Sequence, residues 1–297
     1  MKITITGATG FIGKHLVKSL KHHQLKLIDR TSKEESIEHN HETLVADLST
    51  INIKTLKDFI SGSDIIIHLA GKFTGNTEDS FKANTLTTLK LIEACKQANI
   101  NKLIFASSYA VYGNNINKND QCKETHTRNP ITIYGLAKMM AEDILQYYSK
   151  QNNLKIITLR FPSIYGPEMR GGILYYILSA AKDNSILTIN GEGSQLRNYV
   201  FIDDIIHYIN LVINYNQKQN FEIINISNNQ PCSVIQLLEI AESITNKKIQ
   251  KTFSDDKPFS LLIDGTKAMN TFNYKPQVSL ELGMQKTWEW FFRGTDQ

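Results

Sequence analysis

The sequence predicts an α/β protein that has a doubly wound parallel sheet and a smaller mixed α/β lobe in its C-terminal part. Through the first half, short and continuously apolar runs alternate with stretches of helical periodicity. Such strands are typical of a parallel sheet that is covered by helices on both faces. Right-handed crossovers between the strands then give the doubly wound topology. After Gly166 and Pro167 the alternation loosens, which indicates the second lobe.

The individual elements follow from these runs. The predicted strands of the first half are Lys2–Thr6, Leu25–Ile28, Leu44–Ala46, Ile65–Leu69, Lys102–Ala106 and Lys155–Arg160. The predicted helices between them are Phe11–His22, Thr77–Ala98 and Gly135–Lys150. The later part has helical patterns at Ile173–Lys182, Ile202–Tyr215 and Val234–Thr245 and a strand at Ile223–Ile226. No linker marks a clean boundary between the two parts. We expect a first domain of residues 1–166 and a mainly substrate-binding lobe of residues 167–297, with a strand near 222–226 returning to the first sheet.

Composition excludes several classes of protein. The net charge of +4 is small and evenly spread, so we expect no nucleic-acid partner. No run approaches the roughly 18 apolar residues that cross a bilayer, and the N-terminus lacks the apolar centre of a signal peptide. Three widely separated cysteines form no metal-ligand spacing and are typical of a reducing compartment. We expect a cytoplasmic protein with neither a metal site nor a membrane partner.

Glycines at positions 7, 10 and 13 stand between the first strand and the first helix. Gly7 allows a tight turn, Gly10 lets the backbone approach a pyrophosphate, and Gly13 lets helix and strand pack closely. The helix that begins at Phe11 and Ile12 would point its free N–H groups at the phosphates. The segment therefore predicts a Rossmann unit that binds a nicotinamide dinucleotide; a glycine-rich turn without a ligand is the alternative.

Two acidic residues bear on the cofactor. Asp29 ends the second predicted strand, where a carboxylate can accept hydrogen bonds from the adenosine ribose. A 2′-phosphate beside Asp29 would suffer like-charge repulsion, although Arg30 could relieve it. This pair favours NAD and leaves NADP open. Asp47 and Leu48, after the third strand, could cover the adenine.

Tyr134 and Lys138 lie one turn apart on the same face of a predicted helix. A nearby ammonium lowers the pKa of a phenol. Lowering that pKa from about 10 to about 7 takes roughly 4 kcal/mol, which is feasible if an oxidised nicotinamide contributes. Tyr134 could then exchange a proton with a substrate hydroxyl while hydride moves to or from the cofactor. Without the glycine turn, the pair would be an ordinary surface pair.

Ser107 and Ser108 directly follow the predicted strand Lys102–Ala106, at the carboxyl edge where doubly wound folds bind ligands. The Ser108 hydroxyl can hydrogen-bond the reacting oxygen and share its proton with Tyr134. A helix cap or an ordinary loop hydroxyl is the alternative.

In these segments the chain resembles the extended short-chain dehydrogenase/reductase family, in its nucleotide-sugar epimerase/dehydratase branch. The resemblance runs nearly from end to end. Its matching segments are Thr6–Gly13, Asp47–Leu48, His68–Gly71, Asn84, Ser107–Gly113, Tyr134–Lys138, Leu159–Pro167, Gly191–Arg197, Val200–Asp204 and Asn225–Ser227.

The resemblance implies a role for each matching residue. Tyr134 would be the acid/base, Lys138 would hold the nicotinamide ribose, and Ser108 would orient the sugar hydroxyl. Pro162 and Ser163 would border the nicotinamide. The other residues implied to bind cofactor are Leu69, Ala70, Gly71, Asn84, Ser107 and Phe161.

On the substrate side, Arg197 resembles the arginine that grips a nucleotide-sugar phosphate, since a guanidinium offers paired donors in one plane. An ion pair inside the second lobe is its alternative. Lys72, Ser108, Tyr109 and Ser163 complete the implied substrate contacts.

Two departures put parts of this site in doubt. Ser163 stands where the family usually has an asparagine, so its bond has a shorter reach. Many relatives carry a further phosphate-binding arginine where Thr252–Ser260 here offers only Lys257. Whether Lys257 replaces that arginine stays open.

Tyr109 and Ala110 bear on the reaction. Family members that dehydrate the sugar carry an acidic pair at these positions, so a dehydratase is not expected. An NAD-dependent epimerase acting at a sugar carbon, C4 by preference, is favoured. An NAD(P)H-dependent 4-ketoreductase and a non-catalytic dinucleotide-binding sensor or assembly protein are the alternatives.

The resemblance also implies a homodimer, formed through the helices Thr77–Ala98 and Gly135–Lys150. Apolar residues on these helices could equally belong to the core of a monomer. They include Leu86, Leu89, Met139 and Ile144.

Overall fold

A computed structural model of the chain describes residues 1–31, 41–73, 75–113, 120–151 and 154–292. By their contacts the residues group into two compact units. Unit 1 spans Met1–Gly113, Thr127–Arg160 and Tyr208–Ile224, and unit 2 spans Asn114–His126, Phe161–His207 and Asn225–Gln297. A grouping by contacts is not a test of domain boundaries, and the single boundary after residue 166 stays a prediction.

The elements have the following bounds. The strands are β1 (Lys2–Thr6), β2 (Gln24–Asp29), β3 (Glu42–Val45), β4 (Ile65–His68), β5 (Lys102–Ser108), β6 (Lys155–Phe161), β7 (Ser163–Tyr165), β8 (Leu187–Ile189), β9 (Leu196–Phe201), β10 (Phe221–Asn225), β11 (Pro231–Ser233) and β12 (Lys251–Phe253). The helices are α1 (Phe11–Ser19), α2 (Ile53–Ile60), α3 (Thr77–Phe81), α4 (Thr87–Gln97), α5 (Ile133–Gln151), α6 (Ile173–Asp183), α7 (Ile202–Asn214), α8 (Val234–Thr245), α9 (Thr266–Phe272) and α10 (Leu280–Trp290). A π-helical segment, Lys82–Leu86, joins α3 to α4, and a 3₁₀ turn, Tyr109–Tyr112, follows β5.

Unit 1 is built on a seven-stranded parallel sheet in the order β3-β2-β1-β4-β5-β6-β10. β1 pairs in parallel with β2 on one side and with β4 on the other, so the strand order reverses between β1 and β4. The apolar run Ile65–Ile67 of β4 is buried, as a strand covered on both faces requires. The predicted doubly wound α/β fold is confirmed.

Several boundaries differ from the predicted ones, and the predicted helix Thr77–Ala98 is divided into α3, the π-helical segment and α4. β5 continues through Ser107 and Ser108. Both serines are buried, so the strand extends two residues beyond its apolar run. α1 ends at Ser19 rather than His22, since the N–H of Leu20 already closes the helix on Leu16 and Val17. β3 lies at Glu42–Val45, and Ala46 only bonds the carbonyl of Asp29 after the strand has ended.

The core of unit 1 lies between the sheet and the helices α2, α4 and α5. Its fully buried members include Leu56, Leu91, Cys95, Leu145 and Ile156. Burial raises the pKa of the Cys95 thiol well above its ordinary value, which agrees with a small apolar core residue.

Lys102, at the start of β5, closes the end of α7. Its Nζ donates to the carbonyl oxygens of Val212, Ile213 and Tyr215 at 2.8–2.9 Å. A cation at a helix C-terminus satisfies carbonyls that have no partner within the helix. This contact joins the end of α7 to the main sheet of unit 1.

Unit 2 contains a three-stranded sheet in the order β11-β9-β7 and a two-stranded sheet of β12 and β8. Asp204, at the start of α7, is buried and accepts bonds from Tyr274, Gln277 and Val278. This member of the Val200–Asp204 motif therefore fixes the chain around residues 274–278. Within the described ranges, we find no helix with the length and apolar character that a membrane span needs.

His68, the last residue of β4, is fully buried and hydrogen-bonds on both sides. Its Nδ1 lies 2.7 Å from Thr6 Oγ1, and its Nε2 lies 3.1 Å from Thr88 Oγ1. Because the Thr88 hydroxyl donates its hydrogen bond to the carbonyl of Asn84, its oxygen accepts the hydrogen bond from His68 Nε2–H. Burial, helped by the charge of Lys138, lowers the pKa of His68 to about 3. The ring is therefore neutral and connects β1, β4 and α4.

We predict that this neutral histidine makes the protein acid-sensitive. Below pH 6.5 this histidine binds a proton in the unfolded chain, but in the folded chain it stays neutral down to about pH 3. The free energy of unfolding therefore falls as pH falls. By pH 5 the loss is about 2 kcal/mol from this group. Urea unfolding at pH 7.5 and pH 5 measures it. His68→Gln should reduce that pH difference by about this amount, whereas the exposed His22→Gln should not; equal pH dependence in all three proteins would contradict the prediction.

Candidate functional site

The glycine turn between β1 and α1 is a place of close backbone contact. Gly7 has φ +73°, and a Cβ there would lie 2.8 Å from the nitrogen of Ala70. A Cβ on Gly13 would lie 2.7 Å from the carbonyl carbon of Ala8 and would also overlap the carbonyl oxygen of Gly7. Any side chain at either position would displace the backbone, so both glycines are required by the fold itself.

Gly10 differs, because its backbone is extended and a Cβ would meet only the carbonyl oxygen of Gly7, at 3.2 Å. Gly10 is the N-cap of α1, and no side chain caps this helix. The first turn also has no acidic residue that would occupy the positive end of the helix. Phe11 and Ile12 thus begin a helix whose N–H groups suit an anion such as a pyrophosphate.

The turn opens into a cavity of about 660 Å³ in unit 1, within the range of small-ligand sites. The predicted cofactor residues that line it are Gly7, Gly10, Asp29, Arg30, Asp47, Leu48, Leu69, Ala70 and Gly71, together with the predicted substrate residue Lys72. Sequence reasoning missed further lining residues: Thr9, Thr31, Ala46, Ser49, Asp79, Lys82, Ala83 and Thr87. Only Thr9 carried a signal, because it stands between two of the glycines.

Asp29 is tied to the glycine turn. Its Oδ2 accepts from the backbone nitrogen and the hydroxyl of Thr9 at 2.8 and 2.7 Å, and its Oδ1 accepts from the nitrogen of Arg30. A carboxylate oxygen has two lone pairs, so Oδ1 keeps capacity for a ribose hydroxyl. Thr9 therefore orients the carboxylate at the edge of the cavity.

Asp47 supplies a second negative charge to the same cavity. Its Oδ1 accepts from the nitrogen and the hydroxyl of Ser49, which lowers the pKa of this carboxyl, and Arg30 contributes a smaller part. Arg30 is therefore opposed by two carboxylates. This charge balance suits a dinucleotide without a 2′-phosphate.

Ser108, Tyr134 and Lys138 come together at the carboxyl end of β5. The Ser108 hydroxyl hydrogen-bonds Tyr134 and also accepts from the nitrogen of Ala110 at 3.2 Å. Lys138 is buried, its Nζ donates to the carbonyl of Ala106 at 2.8 Å, and it lies 6.0 Å from the centre of the Tyr134 ring. Ser108 and Tyr134 are therefore hydrogen-bonded, and Lys138 is fixed beside the Tyr134 ring by its bond to β5.

The lowered pKa expected for Tyr134 depends on an oxidised nicotinamide as well as on Lys138, and it stays a prediction. In the protein alone, burial raises the pKa of Tyr134 to about 12, and the bond to Ser108 offsets only part of that rise. The exposed Phe73 ring, 5.0 Å away between centres, contributes to the apolar surroundings. The Lys138 ammonium donates its hydrogen bond to the carbonyl of Ala106.

Asn84 lies in the π-helical segment and is fully buried. Its Nδ2 donates to the carbonyls of Lys72 and Ser80, and its Oδ1 accepts weakly from the nitrogen of Lys72. A Cβ on Gly71 would lie 2.7 Å from Asn84 Oδ1 and 3.1 Å from Lys138 Nζ. Asn84 therefore fixes the chain that follows β4 beside Lys138.

Several other predicted residues have their own contacts in unit 1. Lys72 forms an ion pair with Asp79 at 3.0 Å, and Tyr109 begins the 3₁₀ turn after Ser108. Ser107 donates to Glu142 Oε1 at 2.6 Å. The Ser107 hydroxyl is thus engaged within the protein.

The remaining predicted residues belong to unit 2. Phe161 and Pro162 are buried, and Ser163 begins β7 opposite Tyr199. Arg197 makes no ion pair in the described part of the chain: its Nη1 donates to the carbonyls of Leu196 and Phe259, and the guanidinium lies 4.9 Å from the Phe259 ring centre.

The alternative of an ion pair at Arg197 is therefore not supported. Both of its bonds use Nη1, so within the described residues Nε and Nη2 keep donors for a ligand. Lys257, from the same stretch of chain as Phe259, is exposed.

The doubly wound fold, the open glycine turn and the Tyr–Lys–Ser group are together typical of dinucleotide-dependent enzymes. The chain belongs to the NAD dependent epimerase/dehydratase family, which it matches over residues 3–227. The resemblance to the extended short-chain dehydrogenase/reductase family is confirmed, and so are the enzyme class and NAD as cofactor.

Relatives within the family differ in their reactions. An uncharacterised UDP-glucose epimerase of Bacillus subtilis, YtcB, is 29% identical over 96% of each chain. A dTDP-D-glucose 4,6-dehydratase of Dictyostelium discoideum is 28% identical over 98% of this chain and 81% of its own. The structure of a UDP-glucuronic acid 4-epimerase from Bacillus cereus in complex with NAD has 27% identity and a TM-score of 0.87, covering 98% of this chain and 97% of that one.

We predict that Gly10→Ala separates folding from cofactor binding. The backbone of Gly10 suits alanine, but the methyl group would occupy the surface that a pyrophosphate approaches. NAD affinity, measured by titration calorimetry, should fall at least about tenfold, or about 1.4 kcal/mol, while the Tm changes little. Gly171→Ala, where a Cβ meets nothing within 4 Å, is the matched control and should bind NAD normally. Unchanged affinity in Gly10→Ala would mean that no phosphate approaches this turn.

Proposed function

We propose that the protein is an NAD-dependent nucleotide-sugar epimerase that acts by reversible hydride transfer at a sugar carbon, C4 by preference. The observation that carries this proposal is the hydrogen-bonded pair of Ser108 and Tyr134 with the buried Lys138 beside it at the end of β5, in a chain of the NAD-dependent epimerase/dehydratase family. Similarity to a UDP-glucose 4-epimerase sequence and to a UDP-glucuronic acid 4-epimerase structure supports the proposal. The proposed substrate is a UDP-linked sugar.

Tyr134 would transfer the proton of the sugar hydroxyl. When the hydroxyl is oxidised, its proton passes to the Tyr134 oxygen, with Ser108 bonded to the same oxygen and able to orient the substrate. When the keto-sugar is reduced on its opposite face, Tyr134 returns the proton. Atoms balance over the cycle, because each proton and hydride that leaves the sugar comes back.

NAD supplies the reversible hydride acceptor when it is bound. The residues that would hold it are the glycine turn at the pyrophosphate, Asp29 at the adenosine ribose and Lys138 at the nicotinamide ribose. Lys138 would also favour the phenolate form of Tyr134 by its charge. Leu48 and the chain Leu69–Gly71 would cover the remaining surface of the cofactor.

Dehydration is not favoured, because the positions after Ser108 carry no acid or base suited to it. Tyr109 begins a 3₁₀ turn and Ala110 has no side-chain functional group. An elimination across the sugar needs one group to take a proton from carbon and another to protonate the leaving hydroxyl. This sequence feature separates the protein from relatives that dehydrate.

We also propose that the protein is a homodimer. α5 exposes large apolar side chains seven residues apart, at Ile133, Met140 and Tyr147. Residues at this spacing lie on one face of a helix. The stripe would pack against the same helix of a second copy.

We predict that the wild-type protein interconverts a UDP-sugar and its C4 epimer without net reduction of added NAD. Tyr134→Phe should lower turnover by about 10²–10⁴-fold, the usual contribution of a positioned acid/base, and leave NAD affinity nearly unchanged. Separation of the epimers by chromatography and absorbance at 340 nm measure both. Stoichiometric oxidation of added reduced cofactor would instead select the ketoreductase, and equal turnover in Tyr134→Phe would exclude Tyr134 as the acid/base.

We predict that Arg197→Ala weakens UDP-sugar binding by about 10–100-fold, the loss expected for a hydrogen bond to a charged group. Arg197→Lys should recover only part of it, since an ammonium lacks the paired planar donors. NAD affinity serves as the internal control and should stay within twofold. Lys257→Ala reports whether the exposed lysine shares the role. Undiminished UDP-sugar affinity in Arg197→Ala would show that Arg197 does not bind the substrate and only contacts Phe259.

A further inference from the structure

A buried carboxylate continues the catalytic face of α5 behind the proposed proton-transfer group. Glu142 follows Lys138 by four residues and Tyr134 by eight, so the three lie on one side of the helix. Its side chain is only 1% exposed. The sequence motif ended at Lys138, and the proposed mechanism does not use Glu142.

Glu142 receives donors from three other parts of unit 1. The Ser107 hydroxyl donates to Oε1 at 2.6 Å, and Arg160 binds both carboxylate oxygens, from Nε at 2.9 Å and from Nη2 at 2.6 Å. Arg128 Nη1 lies 3.3 Å from Oε2 and reaches Asp143 with its other nitrogen. The two oxygens are therefore occupied by fixed, directed partners.

Arg160 carries the connection further. It is 1% exposed, its Nη1 donates to the Tyr112 hydroxyl at 2.6 Å, and its guanidinium lies 4.7 Å from that ring centre. Glu142 and Arg160 thus connect the end of β5, the 3₁₀ turn that follows Ser108, and β6. Ser108 lies between two residues, Ser107 and Tyr112, that this pair holds.

The charge around Lys138 gives the carboxylate a second effect. From β4 it faces His68, which is neutral; from β5 it faces the Phe105 ring at 4.8 Å and the carbonyl of Ala106. On α5 the titratable groups are Tyr134 and Glu142. Burial lowers the pKa of Lys138 to about 8, and the charge of Glu142 limits that fall.

We infer that Glu142 is a positioning residue for the proton-transfer group: its carboxylate places a negative charge one helical turn behind Lys138 and fixes the strand end that carries Ser108 against the helix that carries Tyr134. The inference rests on the proposed function for its consequence, which is the pH range in which the group works. A neutral Lys138 would neither favour the phenolate nor offer its full set of donors to the nicotinamide ribose.

The test is a titration of Lys138 in the full chain, by NMR of protein labelled at lysine Cε, with the signal assigned through Lys138→Arg. Glu142→Gln should lower the titration midpoint by roughly one pH unit, the lower end of the effect of a close opposite charge. The upper-pH limit of NAD affinity should move by the same amount. Glu142→Asp keeps the charge and should restore most of the midpoint. Asp143→Asn removes the adjacent, half-exposed carboxylate and should change neither readout.

Glu142→Gln leaves the buried Arg160 without its counter-charge and is the variant least able to fold. The double variant Glu142→Leu with Arg160→Met removes both charges together and should still lower the Lys138 midpoint, by less than Glu142→Gln, because the positive charge of Arg160 is lost as well. An unchanged midpoint in either folded variant overturns the inference.

The two proposals fail separately. Neither the lysine titration nor NAD binding needs a sugar, so an absence of epimerisation would reject the proposed function and leave the role of Glu142 measurable. Conversely, an active epimerase whose Lys138 ignores Glu142 would reject this inference alone.

Discussion

The close approach of three backbone segments at the reversal of strand order governs the structure. β1 ends at a turn whose Gly7 touches the chain after β4, and Gly13 lets α1 begin directly over that turn. This contact leaves the N-terminus of α1 without a side-chain cap and open to the cavity. The same reversal separates the strands so that a crevice forms at their carboxyl ends. The fold itself requires Gly7 and Gly13, whereas a Cβ on Gly10 would meet only the carbonyl oxygen of Gly7, on the side that faces the cavity.

Along that edge of the sheet, several buried polar side chains are hydrogen-bonded to one another in series. His68 accepts a hydrogen bond from the Thr6 hydroxyl and donates one to the Thr88 hydroxyl. Thr88 in turn donates a hydrogen bond to the carbonyl of Asn84. Asn84 holds the segment that packs beside Lys138. On the other side, Glu142 and Arg160 hold both flanks of Ser108. Because an unsatisfied buried polar group costs as much as the bond it lacks, each chain admits one arrangement of donors and acceptors. The proton-transfer group thus lies between two networks that fix its geometry.

Sequence patterns could predict the doubly wound parallel sheet, the glycine turn and the Tyr–Lys pair, because each rests on local spacing or on strand periodicity. The same patterns do not predict hydrogen bonds between residues that are far apart in the sequence. Ser107 and Glu142 are 35 residues apart, and Lys102 reaches carbonyls more than 100 residues away. The apolar run of β5 ends at Ala106, so periodicity predicts that the two buried serines lie beyond the strand, whereas they belong to it. Thr9, which orients Asp29, had only its position between glycines to mark it. In each case the missing information is which polar group a buried polar group meets, and periodicity does not encode that.

The protonation of Tyr134 shows why the lysine has to stay charged. Burial holds the pKa of this phenol near 12, so around neutral pH the residue is a proton donor, suited to reducing a keto-sugar. Accepting a proton requires positive charge close to its oxygen. Lys138 supplies one charge, but its own burial brings its pKa to about 8. An oxidised nicotinamide would supply the second charge at the moment when a base is needed, and the reduced form would withdraw it when an acid is needed. The redox state of the cofactor and the proton affinity of Tyr134 would then change together, as the proposed epimerisation requires.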